Sequence, residues 1–289
     1  MELLKGAPVA AAISEGLKMK IAAAEGVRKP KLAIIRVGER PDDISYEKGA
    51  CKRMVGIGID CESYVYPADI SNDEFRKAFS TINDDDAIDG ILLLRPLPKQ
   101  IDEKAITELI HPQKDVDCIG PANMAKVFMG SRDGYAPCTA QAVVEMLDAA
   151  EIDLTGKNAV IIGRSLVVGR PLAMLLMRKN CTVTICHTKT VDMPAICRQA
   201  DIVVACAGQM RMVNSDYISE AAVAVMDVGI NWDAELGKLC GDVDFSDVTE
   251  HIASSAYITP VPGGVGAVTT SVLAAHVVES WSRKAAGGS

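Results

Sequence analysis

Residues 159–173, AVIIGRSLVVGRPLA, form a stretch with clear chemical potential. An apolar run ends at Gly163, a turn follows, and Gly169-Arg170-Pro171 opens a helical pattern. Glycines at such a turn let backbone amides approach a pyrophosphate, and the helix N-terminus adds a positive dipole. The spacing is not the usual G-x-G-x-x-G, because Ser165 and Val168 stand at the later glycine positions. A site for NAD usually places an acid about 20 residues on, at the end of the next strand, to hold the ribose hydroxyls. Here that strand ends in CHTKT at 186–190, and no acid appears before Asp192. Arg164, Thr188 and Lys189 would instead gather around a 2′-phosphate, which an acid would repel; the alternative is that Arg164 and Lys189 are solvated surface charges. Gly163, Arg164, Ser165, Gly169, Thr188 and Lys189 are therefore candidate cofactor-binding residues, with NADP expected over NAD.

Such a turn needs a sheet to carry it, and the chain alternates strand and helix patterns throughout. Strands are expected at Lys31–Val37, Ser63–Tyr66 and 90–94, with helices over 8–25, 44–57, 72–81 and 102–110 between and around them. After a mixed segment at 120–136, helices at 140–150, 171–179 and 193–200 alternate with strands at 159–162, 182–186, 202–205 and 223–227. This rhythm implies βαβ units and a mostly parallel sheet, the second half having that of a dinucleotide-binding domain. A soft tail is expected at 285–289.

Composition narrows the function classes. At 289 residues the chain has room for two cores. Its net charge of −8 and lack of a basic stripe argue against nucleic-acid binding. The uncharged stretch 252–278 is broken by Pro260, Pro262, Gly263, Gly264 and Gly266, which a membrane span tolerates poorly, so no membrane partner is expected. The nine cysteines show no C-x-x-C pair and suggest reduced thiols in a cytoplasmic protein. No metal site is expected.

Several separated motifs then occur in one order. GRSLVVGRPLAMLL, TVTICHTKT, DVGIN at 227–231, GDVDF at 241–245 and TPVPGGVGAVT at 259–269 resemble the methylenetetrahydrofolate dehydrogenase/cyclohydrolase (FolD-type) family. VGERPDDISY at 37–46, GILLLRPLP at 90–98, KDVD at 114–117 and PCT at 137–139 extend the resemblance over nearly the whole chain. It implies a two-domain α/β fold. An N-terminal βαβ folate domain at 1–122 would be completed by a C-terminal helix at 270–289, with a Rossmann-type domain at 140–265 and a cleft between the two. It also implies oxidation of 5,10-methylenetetrahydrofolate with a nicotinamide dinucleotide, and a homodimer. Tyr46 matches the family's ring-packing tyrosine, and Asp117 its pterin-binding acid, whose carboxylate can accept parallel hydrogen bonds from the ring. Pro262, Gly263, Gly264 and Val265 would line the folate, and Ile230 the cofactor.

Two departures bear on the second activity. The family has a lysine four residues after the tyrosine, one helical turn on, and this chain has Ala50 there. Lys48 is about 200° round the helix from Tyr46, and Lys52 matches a non-catalytic basic position. The family's supporting glutamine is Leu94. Hydride transfer needs alignment but no side-chain proton transfer, whereas hydrolysis of the methenyl product needs a positioned acid–base group. A dehydrogenase with weak or absent cyclohydrolase activity is therefore expected, with full bifunctionality as the alternative. Two lesser rivals are a two-domain amino- or hydroxy-acid dehydrogenase and a non-catalytic folate- or nucleotide-binding protein. The first would show a catalytic Lys–Asp or His–Asp pair, and the four histidines have no evident pairing in sequence.

Overall fold

The computed structural model describes residues 1–24 and 26–287. The chain opens with β1 (Glu2–Leu3), α1 (Gly6–Ala22), β2 (Lys31–Val37), α2 (Pro41–Ile57), β3 (Asp60–Tyr66) and α3 (Asn72–Asp84). It continues through β4 (Gly90–Leu93), α4 (Glu103–Leu109), α5 (Pro121–Met129) and α6 (Cys138–Ala149). The second half runs β5 (Asn158–Ile162), α7 (Gly169–Arg178), β6 (Thr182–Cys186), α8 (Met193–Cys197), β7 (Ile202–Ala205) and β8 (Ala224–Asp227). It ends with β9 (Asn231–Asp233), β10 (Lys238–Cys240), α9 (Phe245–His251), β11 (Tyr257–Ile258) and α10 (Gly266–Ala285).

The chain divides into two compact units, and neither is contiguous in sequence. One comprises Ala12–Cys138 together with the segment from Thr270, the other Met1–Ala11 and Thr139–Thr269. In the first unit β3, β2 and β4 form a parallel sheet in that order. Alternate residues of β2 and β4, Ala33, Ile35, Val37, Ile91 and Leu93, pack on Phe75, Phe79 and Ile82 of α3 and Ile106 of α4. Helix α3 starts at Ser71, whose hydroxyl accepts from the Glu74 amide while Glu74 reaches back to the Ser71 amide, a reciprocal cap. The C-terminal part of α10 is tied in by named bonds. Ser280 Oγ donates to Gln113 O (2.8 Å), Trp281 Nε1 to Arg28 O (2.7 Å) and Lys284 Nζ to Ile88 O (2.7 Å).

In the second unit six strands pair in the order β1-β11-β8-β7-β5-β6, every pairing parallel. From β5 the chain first steps outward to β6 and then crosses back to β7 on the other side. The strand order therefore reverses at β5, the place where open parallel sheets of the Rossmann type bind ligands beyond their carboxyl ends. The strands read as almost continuous apolar runs because both faces are covered; Ile202–Ala205 and Ala224–Asp227 are buried throughout. An antiparallel hairpin, β9 with β10, stands apart from the sheet.

Elements with long apolar patterns lie where the sequence suggests, with boundaries shifted by a few residues. The first helix begins at Gly6 and ends at Ala22; Glu25, in the expected span, lies outside the described residues. The final helix continues through Ala285, the first residue of the expected soft tail, and the last two residues of that tail lie outside the described residues. The mixed segment at 120–136 holds α5, opened by Pro121 and closed by Gly130 in the left-handed conformation.

Candidate active site

Within the first unit, α2 carries Tyr46 and the turn before α5 carries Asp117. Tyr46 is 38 % exposed, and Asp117 is partly exposed. The two share an electrostatic environment: burial, followed by the charge of Asp117 and the neighbouring Cys138, pushes the Tyr46 hydroxyl well above its ordinary value. Tyr46 therefore stays neutral, a packing surface with a hydroxyl tip rather than an ionisable base. The Asp117 carboxyl is raised by burial and pulled back by its bonds to Cys138 and by the charges of Arg95 and His276. Its Oδ1 accepts the Cys138 amide at 3.2 Å, which fixes the carboxylate plane.

Arg95 had no role assigned from sequence. It follows Leu94 directly and forms an ion pair with Glu103 at 3.3 Å, while Glu103 also accepts the Leu97 amide at 2.8 Å. The charge of Arg95 also lowers the Asp117 carboxyl, an influence that their separation of 22 positions hides in the sequence. Ala50 is completely buried and Leu94 is 8 % exposed, so two apolar side chains stand at the positions of the family's lysine and glutamine. Lys48 and Lys52 are exposed. Glu47, next to Tyr46, pairs with Arg36 at 2.6 Å, both side chains nearly buried. The histidines are not all unpaired. His111 meets Asp84 at 3.1 Å on the surface, and His251 Nε2 meets the Ile218 carbonyl at 2.8 Å.

Within the second unit, Gly163, Arg164, Ser165 and Gly169 occupy the turn from β5 into α7, and Thr188 and Lys189 follow β6. The strands are paired to their ends, Ile162 opposite Cys186, and the Gly163 amide donates to the Cys186 carbonyl at 2.9 Å. Arg164, Thr188 and Lys189 thus leave adjacent strand ends, all exposed. Gly163 has φ of +134°, and a Cβ there would lie 2.4 Å from the Cys206 carbonyl oxygen. A Cβ on Gly169 would lie 2.1 Å from the Gly163 carbonyl oxygen. Neither position accepts a side chain, so the backbone itself forms a bare cradle at the start of a helix, which fits the phosphates of a dinucleotide. Ser165 Oγ accepts the Val168 amide at 3.0 Å and pins the turn.

Ile230, Pro262, Gly263, Gly264 and Val265 come together elsewhere in this unit, around a pocket of ≈ 280 Å³ that Asp227, Leu239 and Pro260 also line. Asp227 explains why DVGIN and GDVDF occur together. Its carboxylate accepts the amides of Gly229, Asp242 and Val243, each at 3.0 Å. Asp242 in turn accepts the amides of Ala207 and Gly208 and the Asn231 side chain. Burial raises the Asp227 carboxyl to about 6 despite those amides. The two acids knit three loops at the carboxyl ends of β7 and β8 and so set the position of Ile230.

Comparison with known proteins agrees with this architecture. The catalytic-domain model described as "Tetrahydrofolate dehydrogenase/cyclohydrolase, catalytic domain" matches residues 4–117, and that described as "Tetrahydrofolate dehydrogenase/cyclohydrolase, NAD(P)-binding domain" matches 137–285. The chain is 50% identical over 284 residues to the bifunctional protein FolD of Clostridium kluyveri, covering 98% of both chains. The crystal structure of the bifunctional FolD enzyme of Campylobacter jejuni superposes with a TM-score of 0.93 at 40% identity, over 98% of this chain and 99% of the other. The Trypanosoma brucei dehydrogenase-cyclohydrolase, complexed with NADP and an inhibitor, does so with a TM-score of 0.90 at 34% identity, over 99% and 98%. Matched along both halves, and half identical to a relative over almost its whole length, this chain belongs to the tetrahydrofolate dehydrogenase/cyclohydrolase family.

Proposed function

We propose that the protein oxidises 5,10-methylenetetrahydrofolate to the 5,10-methenyl form with NADP and also hydrolyses the product to 10-formyltetrahydrofolate. The observation that carries the folate assignment is Asp117, a partly exposed carboxylate whose orientation is fixed by the Cys138 amide and whose neighbour is the neutral Tyr46. Such a carboxylate accepts two parallel donors from the pterin's amino group and ring N–H, and Tyr46 packs near the reacting carbon. NADP, when bound, supplies the nicotinamide that accepts the hydride. The Gly163–Gly169 turn would receive its pyrophosphate, while Arg164, Thr188 and Lys189 would surround the 2′-phosphate. The NADP named for the Trypanosoma brucei structure supports that preference. The proposal extends to a cytoplasmic homodimer acting on a free small-molecule folate.

The bifunctional names of the relatives favour two activities over the loss of the second, and in this they back the alternative better than the expectation of weak cyclohydrolase. A second reading is retained on one specific observation. Apolar Ala50 and Leu94 fill the positions of the family's lysine and glutamine, and both are buried. Loss of a positioned acid–base group costs about 10²–10⁴-fold, so on this reading methenyltetrahydrofolate accumulates. One coupled assay separates the two. Purified protein receives methylenetetrahydrofolate with NADP or NAD, and separately authentic methenyltetrahydrofolate. Hydrolysis well above the spontaneous rate supports bifunctionality; NADPH formation with hydrolysis at the spontaneous rate supports the second reading. Absence of folate-dependent NADPH formation sinks both.

A further inference from the structure

His276, on α10, is buried and takes no part in the proposed hydride transfer. Its Nδ1 lies 2.8 Å from the Val116 carbonyl. A carbonyl only accepts, so this nitrogen carries the proton and donates. The same carbonyl receives the Cys138 thiol at 3.3 Å, and that sulfur lies 3.8 Å from His276 Nδ1. Cys138 then closes the circuit through its backbone amide to Asp117 Oδ1 at 3.2 Å. His276 thus secures both segments that fix the acid, the Val116 peptide just before Asp117 and the Cys138 residue that bonds to it. The Tyr135 ring packs on the imidazole with centroids 5.1 Å apart, and the Arg283 guanidinium lies over the far reaches of that ring, 5.4 Å from its centroid.

We infer that His276 is a positioning residue for the folate-binding carboxylate, holding Asp117 in place through Val116 and Cys138. The inference rests on the folate reading of Asp117. Burial holds the Cys138 thiol far above its ordinary value, so it remains neutral and serves as a donor to the Val116 carbonyl. Loss of the His276 donor frees the Val116 peptide and the Cys138 residue, so Asp117 loses its fixed orientation toward the pterin.

Two variants test the donor. H276N can keep a donor near the place of Nδ1, and H276L removes it. Folate KM, NADP KM and kcat would be measured from pH 5 to 8, with D117N in parallel and Tm as a check on folding. H276L is expected to raise folate KM about tenfold, the loss of one useful hydrogen bond, with NADP KM unchanged. H276N is expected to recover most of that loss at pH 8. An H276L folate KM within twofold of wild type, or an H276N variant no better than H276L, overturns the inference while a large D117N effect leaves the folate reading standing. A D117N variant with unchanged folate KM overturns the folate reading itself.

Discussion

Replacing Gly169 by alanine tests the dinucleotide cradle directly. The new methyl carbon would lie 2.1 Å from the Gly163 carbonyl oxygen and 2.6 Å from its carbonyl carbon. Non-bonded carbons settle about 3.5–4.0 Å apart, so the two backbone segments must separate by roughly 1 Å. Both neighbours are main chain, so no rotamer change relieves the contact. Misplacing a bound reactant by about 1 Å costs around 10²-fold in rate. Accordingly, kcat/KM for NADP should fall about 100-fold in G169A, equivalent to about 2.7 kcal/mol. Initial rates of NADPH formation with NADP varied at saturating folate would measure it, alongside NADPH fluorescence titration and Tm. G16A is the control: Gly16 lies within α1 with nothing within 4 Å of its added Cβ. There alanine should stabilise by about 0.5–1 kcal/mol through helix propensity and leave the kinetics unchanged. A G169A protein with native Tm and NADP KM within twofold of wild type would refute the cradle argument.

Other perturbations read other parts of the molecule. D117N replaces a charged acceptor by an amide and should raise folate KM about 10–100-fold with little change for NADP, since hydrogen bonds to charged groups contribute about 1.5–3 kcal/mol; steady-state kinetics with each substrate varied will check this. A50K combined with L94Q should speed hydrolysis of methenyltetrahydrofolate by at least tenfold if the second activity is impaired, and leave it unchanged if other groups already supply the proton transfers; absorbance decay of the methenyl compound measures it. E47Q breaks the nearly buried pair with Arg36 and should cost about 1–2 kcal/mol at pH 7. The Glu47 carboxyl is held below its ordinary value by hydrogen bonds from Ser63 and Arg36 working against burial. Its contribution is therefore present above the unfolded-state pKa of about 4.3 and lost as pH falls through the lower folded value. Urea denaturation from pH 7 down to 3 should show the wild type and E47Q converging at the acid end.

The parts of the fold legible in the sequence are those with enough residues to show a period. Lys31–Val37 and Ile202–Ala205 announce themselves as apolar runs, and their strands have those bounds. Strands β1 and β11 have two residues each, too few for any alternation, and exist because each finds a partner. The β9–β10 hairpin is similarly brief, and its exposed Trp232 and Leu239 give no inward-facing face to read. Helix α5 was legible in principle: Pro121 at its start and Gly130 at its end are a boundary signature that the surrounding mixed composition obscured. At the site, the Gly163 turn is legible in short-range spacing, whereas Tyr46 and Asp117 are expected only through the family resemblance. The partners of Asp117 were illegible: Arg95 and His276 stand 22 and 159 positions from it, and only tertiary packing makes them neighbours.

The interleaving of the two units has a consequence for biosynthesis. Glu2 and Leu3 are synthesised long before Tyr257 and Ile258, the residues they pair with. At about 5–20 residues per second, that strand waits roughly 13–50 s for its partner. The β2, β3 and β4 strands are synthesised early, yet Ser280, Trp281 and Lys284, which bond to Gln113, Arg28 and Ile88, arrive much later. Neither unit can therefore mature on the nascent chain ahead of the other, and a gene cut at the unit boundary near Cys138 yields two halves that each lack a piece of themselves.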